Sequence, residues 1–477
     1  MTRESRVLIG LQYGDEGKAR VLDKILSRLR DSRLRLTPKY KNVVARFAGG
    51  ANAGHTLEKG DKRVVLHQIP SGIFDPDAKL YIASGCVLNP QKTNREITDI
   101  NNIGISIEKR LHIAANTTLI QPHHLILDAI HGKAIGTTGN GIGHAYADRA
   151  QRALGETLKT LRFADYLIDT EAGKDVVRAN LEETNAIHNL DLNVNKLTEE
   201  FHMETMELEK YLTKNPLFLE SLVADYGYDV FYEGAQAVML DNLTGTVPFV
   251  TSSRTLAGAA YTCGDLSSRY HKRTMGVAKA IMSRVGNGPF VSGFAGKESE
   301  KYCMADGGNK YKKAEEKRLY NIDTLSKSEN PLDLEILLRR WGKEYGASTK
   351  RPRRIGALDL VMLKQNCALN DIDELYITKF DCLEHFSRTT LPGIPVVTAY
   401  ELDGKIINYM PTTTKEAEAA KPIVEYLPHI REDISGATHK DHLPSSVFDV
   451  KSFIEAQVRV PIYGIGVGPE RDQFVFL

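Results

Sequence analysis

Short apolar runs alternate along the chain with segments whose apolar residues recur at helical spacing. Residues 7–11 form an apolar run that predicts a buried strand, and the apolar positions of residues 21–29 predict a helix. The same patterns predict strands at residues 41–47, 103–115, 228–233, 275–282, 374–381 and 460–465, and helices over much of residues 154–226. This alternation is typical of an α/β protein with one large domain or two to three smaller ones.

The turn between the first strand and the first helix has the composition of a phosphate-binding loop. It contains Gly10, Gly14, Gly17 and Lys18. Glycines let backbone N–H groups approach an anion, and a helix N-terminus with a lysine adds positive charge. Asp15 and Glu16 would repel phosphate, so they indicate a metal ligand or a proton acceptor. Ala19 stands where a standard P-loop has Ser or Thr, so a plain connection remains an alternative.

Four later segments carry polar groups that allow two interpretations each. Residues 48–56 are either a turn with a surface His55 or a mobile lid with a proton donor. Residues 136–143 are either a loop of several turns or a phosphate site, because they pair glycines with threonines. The cations of residues 350–354 are either a solvated loop or a clamp for carboxylate or phosphate. Lys379 and Asp381 are either the polar end of a strand or a Lys-x-Asp pair that resembles the guanine-reading element of GTP-binding proteins.

Composition places the chain among ordinary globular proteins. Its 477 residues have a formal net charge of +1, which gives no bulk attraction to nucleic acid, and its five cysteines are scattered without metal-binding spacing. We expect reduced thiols, a cytoplasmic location and no membrane association, because neither a signal peptide nor a stretch of about 20 apolar residues is visible. Residues 296–333 are rich in Lys and Glu and predict a surface insertion within a single domain, residues 1–477.

Considered together, the polar and Gly-rich segments resemble the adenylosuccinate synthetase family. The matching motifs follow one another in order from residue 6 to about residue 472. They are 12–18 (QYGDEGK), 49–56 (GGANAGHT), 67–72 (HQIPSG), 136–143 (GTTGNGIG), 233–236 (EGAQ), 250–253 (VTSS), 284–289 (RVGNGP), 351–354 (RPRR) and 378–381 (TKFD). Each motif alone is modest, whereas the ordered series is specific.

The resemblance implies a fold and a reaction. The fold would be P-loop-NTPase-like: a large mixed, mostly parallel sheet flanked by helices, with helical excursions at the surface. The reaction would join L-aspartate to IMP with GTP as co-substrate and Mg²⁺ as cofactor, through a 6-phosphoryl-IMP intermediate. The active form would be a homodimer in which Arg152 reaches the IMP phosphate of the neighbouring subunit.

The resemblance also implies residue roles. Asp15 would remove the N1 proton of IMP and bind Mg²⁺ with the carbonyl of Gly54, while His55, Lys18 and Gln236 would complete the catalytic set. Substrate-binding residues would be Asn52, Thr138, Arg152, Thr251, Ser348, Thr349, Arg351 and Arg353. Nucleotide-binding residues would be Glu16, Gly17, Lys18, Gly54, His55, Thr56, Lys379, Asp381, Gly468 and Pro469.

Several positions depart from the family pattern. They are Tyr13, Ala19, Arg20, Ala51, Asn140, His144, Lys350, Gly466 and Val467. Gly466 and Val467 replace a Ser-Thr pair that would contact guanine. Two other hypotheses therefore stay open: a divergent ligase that uses ATP or another purine nucleotide, and a non-catalytic nucleotide-binding relative. Phage relatives that act on deoxyguanylate resemble a group without the catalytic Asp, and the presence of Asp15 argues against that assignment.

Overall fold

A ten-stranded sheet forms the centre of the molecule. The structure is a computed structural model that describes residues 4–33, 41–132, 137–284, 286–346 and 350–477. The strand order is β11-β7-β5-β2-β12-β1-β13-β17-β21-β22, with every neighbouring pair parallel except β21 and β22. The predicted fold, a large and mostly parallel sheet flanked by helices, is confirmed.

The strands and helices are numbered in chain order. The strands are β1 (Ser5–Gly10), β2 (Lys41–Arg46), β3 (His55–Lys59), β4 (Lys62–Leu66), β5 (Lys79–Ile82), β6 (Val87–Leu88), β7 (Leu111–Ala114), β8 (Thr118–Leu119), β9 (Ala153–Leu154), β10 (Thr157–Leu158), β11 (Leu212–Thr213), β12 (Tyr228–Glu233), β13 (His271–Lys279), β14 (Met282–Arg284), β15 (Arg354–Gly356), β16 (Leu358–Asp359), β17 (Glu374–Thr378), β18 (Ile394–Leu402), β19 (Lys405–Ile407), β20 (Lys421–Leu427), β21 (Ile462–Gly466) and β22 (Phe474–Phe476). The helices are α1 (Lys18–Arg33), α2 (Pro90–Asn102), α3 (Pro122–His131), α4 (Ile142–Gln151), α5 (Phe163–Ile168), α6 (Thr170–His188), α7 (Val194–Met206), α8 (Phe218–Ala224), α9 (Ala259–Cys263), α10 (Gly296–Met304), α11 (Lys313–Leu319), α12 (Ile322–Ser326), α13 (Pro331–Gly342), α14 (Leu360–Leu369), α15 (Thr414–Ala419) and α16 (Ser445–Val458).

The central sheet is buried on both faces. In β1, Val7 and Ile9 pack into one hydrophobic cluster with residues of α14 and α16, whereas Leu8 packs into a second cluster with residues of α1, α2 and α6. Successive side chains of a strand point to opposite faces, so a strand covered on both sides is apolar at every position. This is why residues 7–11 show a continuous apolar run without alternation.

The prediction of a strand at residues 103–115 is largely wrong. Residues 103–115 were expected to be extended, but only Leu111–Ala114 form a strand, β7. The preceding residues contain the turn after α2, where Gly104 has a positive φ of 74°. Ile107 is buried, and Ile103 and Ile105 pack against the same hydrophobic cluster, so this connection has the apolar composition of a longer strand.

The segment 296–333 folds into three helices with a small core of their own. Tyr302, Cys303 and Leu325 are buried against Ile336 and Leu337 of α13. Its lysines and glutamates lie mostly on the outer faces. That this segment is an insertion within one domain stays a prediction. Among the described residues we find no helix with the length and apolar run needed to cross a bilayer.

Candidate active site

Polar side chains from distant parts of the chain meet at the carboxyl ends of the central strands. Asp15 follows β1, Gln236 follows β12, Ser283 follows β13 and Lys379 follows β17. These four strands are adjacent and parallel, so their carboxyl ends share one edge of the sheet. Open α/β sheets bind their ligands at this edge, and the predicted site residues therefore converge where such a fold places its chemistry.

The turn after β1 is wrapped around the carboxylate of Glu16. Its Oε1 accepts the backbone N–H groups of Gln12, at 3.3 Å, and of Gly14, at 2.7 Å, and Oε2 accepts Lys18 Nζ at 2.8 Å. The Glu16 side chain is fully buried. A Cβ on Gly10 would stand 2.2 Å from Glu16 Oε2, so glycine is required there. In the protein alone the Glu16 carboxylate is thus bound to groups of the turn, and the predicted contact of Glu16 with nucleotide stays a prediction.

Asp15 lies next to Glu16 and points to the opposite side, toward positive charge. Its side chain is 35% exposed and forms an ion pair with Arg353 Nη2, so the structure joins the predicted base to a predicted aspartate-binding arginine. Burial raises the pKa of Asp15, but the charges of Arg353 and Lys279 outweigh it and hold this pKa below its usual range. Asp15 is therefore ionised at neutral pH.

Glu344 was not predicted from the sequence. It connects the loop that carries Arg353 to the loop that carries Lys379. Its buried carboxylate accepts Arg353 Nη1 at 2.8 Å and Ser283 Oγ at 2.6 Å. It also lies 2.9 Å from Lys379 Nζ and 3.5 Å from Lys279 Nζ. Burial raises the pKa of Glu344, and the surrounding cations lower it far more, to well below the usual range.

No motif marks Glu344, because its partners are far away in the sequence. Lys279 does carry a usable signal. It is a lysine within the apolar run 275–282, and its side chain is completely buried in the structure. A lysine is almost never fully buried unless it is paired, so a lysine in a predicted buried strand indicates a buried carboxylate or a functional site.

His55 and Glu233 form a buried pair beside the phosphate-type turn. The His55 Nδ1 and Glu233 Oε1 atoms lie 2.6 Å apart, and Glu233 Oε2 accepts the Ser71 N–H at 2.9 Å. Burial lowers the pKa of His55 and outweighs the carboxylate, while Arg46 and Lys18 lower it further. Glu233 itself remains ionised: burial raises its pKa, but His55 and Arg46 bring it to about 2. His55 is therefore a neutral imidazole oriented by a carboxylate.

Asn52, Gln236 and Thr251 come together from three separate motifs. Asn52 Nδ2 lies 3.5 Å from Thr251 Oγ1, and Gln236 Nε2 lies 3.4 Å from the Asn52 carbonyl oxygen. Gln236 has a positive φ of 51°, and its buried Oε1 has no hydrogen-bond partner among the described residues. An unpaired buried acceptor is unfavourable in a folded protein, so this oxygen is available to a donor on a ligand.

Thr138 and Arg152 flank helix α4. Thr138 is exposed, and its Oγ1 accepts Asn140 Nδ2 at 2.7 Å. Arg152 caps the C-terminal end of the helix with φ 68°, and its side chain is exposed. The last turn of α4 is also exposed at Arg149, Ala150 and Gln151, so this end of the helix faces solvent.

His123 and His124 of α3 and Asp148 of α4 are residue types that can bind a metal, but the protonation of the His124 ring does not suit one. The Nε2 atoms of His123 and His124 each lie 3.0 Å from Asp148 Oδ2. His124 Nδ1 accepts the backbone N–H of Gln121 at 3.0 Å, so the proton of the neutral ring is on Nε2. A protonated nitrogen cannot bind a metal. We interpret the cluster as a hydrogen-bonded clamp between the two helices.

The predicted guanine pocket is formed by the ends of β17 and β21. Thr378 Oγ1 donates to the Glu16 carbonyl oxygen at 2.7 Å, which ties this pocket to the phosphate-type turn. Asp381 is half-buried, and burial raises its pKa above the usual range. Gly468 is buried and Pro469 is exposed after β21. In the protein alone, Lys379 Nζ contacts Glu344 and the Gly342 carbonyl oxygen.

Some predicted residues are not part of this convergence. Arg351 is exposed, and its Cδ would lie 2.8 Å from a Cβ on Gly308, so it packs against the segment 296–333. Ser348 and Thr349 lie outside the described residues. Gly54 and Thr56 are partly exposed beside His55, and a Cβ on Gly54 would meet no atom within 4 Å.

Comparisons with known proteins identify the family of the chain. The family model described as adenylosuccinate synthetase matches residues 7–475. The chain is 36% identical over 468 residues to adenylosuccinate synthetase 2 of Cupriavidus pinatubonensis, covering 98% of this chain and 96% of the relative. It is 34% identical to adenylosuccinate synthetase of Salinibacter ruber, covering 98% of this chain and 97% of the relative.

Two solved structures are also similar. Fully ligated adenylosuccinate synthetase from Plasmodium falciparum matches with a TM-score of 0.81 and 27% identity over all of both chains. Cyanophage S-2L succinoaminodeoxyadenylate synthetase, bound to dGMP and dATP as an energy donor, matches with a TM-score of 0.57 and 16% identity, over all of this chain and 96% of that chain. The second likeness concerns the fold alone. Sequence, fold and site together show that the chain belongs to the adenylosuccinate synthetase family of C–N bond-forming ligases.

Proposed function

We propose that the protein joins L-aspartate to IMP with GTP as phosphoryl donor, in the synthesis of purine nucleotides. The observation that carries this proposal is Asp15, an ionised and accessible carboxylate held between Arg353 and Lys279 at the edge of the phosphate-type turn. A carboxylate in this place is unfavourable for phosphate binding alone. It is suited to removing a proton from a purine beside the phosphate that is transferred.

The reaction proceeds in two steps. Asp15 takes the N1 proton of IMP, and the O6 atom attacks the γ-phosphorus of GTP, which forms 6-phosphoryl-IMP and releases GDP. The amino group of aspartate then attacks C6, loses a proton, and displaces inorganic phosphate to give adenylosuccinate. Proton removal is needed because a neutral lactam oxygen is a poor nucleophile, and general base catalysis is typically worth about 10²–10⁴-fold.

The phosphoryl group is stabilised by Lys18 and His55. Lys18 supplies positive charge at the turn. Glu233 pairs with His55 Nδ1 and fixes the ring, so His55 donates to a phosphate oxygen from Nε2 as an imidazolium, which the negative charge of the bound phosphates stabilises. Phosphoryl transfer depends on such positioning and charge more than on covalent chemistry. Gln236 orients the 6-oxygen, and Asn52, Thr138 and Thr251 bind IMP.

Aspartate binding changes the partner of Arg353. In the protein alone, the guanidinium pairs with Asp15 and Glu344. A carboxylate of the substrate competes with Asp15 for Nη2 of this guanidinium, because both are carboxylates and Nη1 is already bound to Glu344. Release of Asp15 from Arg353 removes a charge that lowers its pKa, so Asp15 becomes a stronger base when aspartate is present. Ser348, Thr349 and Arg351 complete the aspartate loop.

Mg²⁺ and the nucleotide base complete the proposal. Asp15 and the Gly54 carbonyl are oxygen donors in accessible positions, and oxygen donors suit Mg²⁺, which would neutralise charge on the phosphates. Asp381 would accept from the donors of guanine, with Lys379, Gly468 and Pro469 around it and with Glu16, Gly17 and Thr56 near the phosphates. We further propose a homodimer in which Arg152 completes the neighbouring site. The cytoplasmic location stays a prediction.

One assay with alternative substrates tests the proposal. The protein is incubated with aspartate, Mg²⁺, either IMP or dGMP, and either GTP or ATP, and product is followed by mass. We expect adenylosuccinate with IMP and GTP, and loss of turnover but not of IMP binding in Asp15→Asn. Turnover only with another purine or with ATP would replace the substrate assignment. Nucleotide binding without turnover in any combination would indicate a non-catalytic protein.

A further inference from the structure

A strongly basic pocket lies on the surface beneath the β3–β4 hairpin, among the residues that the proposed reaction does not use. Its volume is about 630 Å³. Arg30 of α1, Lys59 and Lys62 of the hairpin, and Lys109 and Arg110 before β7 line it, with Glu108 as the one acidic lining residue among those described. Glu108 is 3.6 Å from Lys210, so its charge is already partnered.

Two of these cations are placed against each other. In the register of the hairpin, Lys59 lies directly opposite Lys62. Like charges directly opposite on antiparallel strands are destabilising. Within the described ranges, neither lysine forms an ion pair, and neither do Arg30 and Lys109. The neighbouring cross-strand pair, Glu58 with Arg63, shows the usual arrangement with a 2.7 Å contact.

The floor of the pocket is apolar and rigid. Ile73 and Phe74 are buried in a 3₁₀ helix, Gly72–Phe74, and Lys59 Nζ lies 5.8 Å from the centre of the Phe74 ring. Arg110 fixes this floor, since its guanidinium donates to the carbonyl oxygens of Ile73 at 2.9 Å and Asp75 at 2.7 Å. The pocket thus places positive charge above an apolar surface that Arg110 holds in place.

Two elements that line the pocket, strand β3 and the 3₁₀ helix Gly72–Phe74, are also connected to the His55–Glu233 pair. His55 is the first residue of β3 and Lys59 the last, about 13 Å along one strand. The 3₁₀ helix begins directly after Ser71, whose N–H binds Glu233 at 2.9 Å. A ligand that draws Lys59 and Lys62 toward the floor would act on both partners of the pair through the backbone.

We propose that this pocket is an anion-binding regulatory site, which takes a phosphate-bearing small molecule and transmits its binding to the His55–Glu233 pair. Its charge matches a dianion or a more highly charged group, because Lys59, Lys62, Arg30 and Lys109 can neutralise it together. Its apolar floor accommodates a ring or another apolar part of the same molecule. The site is separate from the carboxyl edge of the sheet where the substrates are expected.

Equilibrium dialysis at low ionic strength tests binding, with pyrophosphate and AMP as probes. The Lys59→Gln/Lys62→Gln variant is compared with the wild type and with Lys405→Gln/Lys421→Gln, which makes the same change in charge on the β18–β20 sheet. We expect pyrophosphate bound per chain to fall by one in the first variant and to stay unchanged in the second. Stronger binding of AMP at this site than of pyrophosphate would identify a ligand with a ring; the reverse would identify a simple phosphate.

Hydrogen exchange tests the connection to His55 without an activity measurement. Pyrophosphate should slow exchange of the Ser71 amide and of the β3–β4 amides in the wild type and in the control variant, but not in Lys59→Gln/Lys62→Gln. Identical dialysis curves for the wild type and this variant would overturn the site. Loss of binding in the variant without any exchange change at Ser71 in the wild type would overturn the regulatory connection. A thermal melt shows that both variants are folded.

Discussion

The replacement of Glu344 by Gln tests the charge network that supports the candidate site. Glu344 is 1% exposed, and its carboxylate faces Arg353, Lys379 and Lys279 within 3.5 Å. Gln has nearly the same shape, so the substitution removes charge without leaving a cavity. Removing one partner of a buried ion pair costs about 3–5 kcal/mol of stability.

Three cations lose a partner in Glu344→Gln, but the loss of stability should stay within about 3–5 kcal/mol, because each cation has a second acceptor. Arg353 keeps Asp15, Lys379 keeps the Gly342 carbonyl oxygen, and Lys279 keeps a 3.3 Å contact with the Gly14 carbonyl oxygen. Each cation therefore retains one acceptor. We expect the free energy of unfolding at pH 7 to fall by about 3–5 kcal/mol in Glu344→Gln, measured by urea denaturation.

Asp359→Asn is the matched control. Asp359 is also buried, but it accepts only the Tyr400 hydroxyl at 2.7 Å and the Met362 N–H at 3.0 Å, with no cation in contact among the described residues. The two bonds end on different oxygens of Asp359. In Asn the amide oxygen accepts the Met362 N–H and the amide NH2 donates to the Tyr400 hydroxyl oxygen, so we expect a loss of less than about 1.5 kcal/mol. Equal losses in the two variants, or a loss below about 1 kcal/mol in Glu344→Gln, would refute the network as a source of stability.

The two carboxyls also predict opposite dependence on pH. The folded pKa of Glu344 lies well below its unfolded value of 4.5, so its contribution is present above that pH and is lost as the pH falls. The difference between wild type and Glu344→Gln should therefore shrink below about pH 4.5. Burial raises the pKa of Asp359 to about 6 from 3.8, so the wild type should lose stability relative to Asp359→Asn as the pH rises from 4 to 6.

Three further predictions concern the site directly. Gly10→Ala should displace the Glu16–Lys18 pair, because its Cβ would stand 2.2 Å from Glu16 Oε2. We expect the Kd for GTP, measured by calorimetry, to rise about tenfold. In the control Gly436→Ala, where a Cβ meets nothing within 4 Å, the Kd should stay unchanged. Glu233→Gln should lower the His55 pKa further, seen in an NMR titration, because the carboxylate raises it; an unchanged midpoint would exclude the pairing. Arg152→Leu mixed with Asp15→Asn should regain activity through hybrid dimers, and failure with hybrids shown to form would count against a shared site.

Some residues of the candidate site could be recognised from the sequence, because the chemistry or the backbone conformation there requires a particular residue type. The glycines around Lys18 were recognisable because a turn that approaches an anion tolerates little else, and Gly10 does stand against Glu16. Asp15 was recognisable because a carboxylate is anomalous in a phosphate-type turn. The ordered motifs added the family, and the strand β12 forms at the predicted residues, 228–233.

Local pattern did not determine the partners of two side chains or the length of one strand. In the protein alone, the Glu16 carboxylate binds backbone N–H groups of its own turn and Lys379 contacts Glu344, while the nucleotide-binding roles of both residues stay predictions. The extent of β7 was overestimated because a buried turn and a buried strand have the same apolar composition. The pattern of apolar residues along the sequence predicts which side chains are buried, but it does not predict which residue a buried side chain contacts.

By itself, the sequence determined the α/β class, the phosphate-type turn and the identity of the groups available for proton transfer and charge stabilisation. These follow from periodicity and from residue chemistry, which are local properties. Only the tertiary structure decided that Arg353 neutralises Asp15, that Glu344 joins the loops, and that Glu233 orients His55. The protonation of Asp15 and His55 depends on burial and on charges from distant residues, and those distances exist only once the sheet has brought its strand ends together.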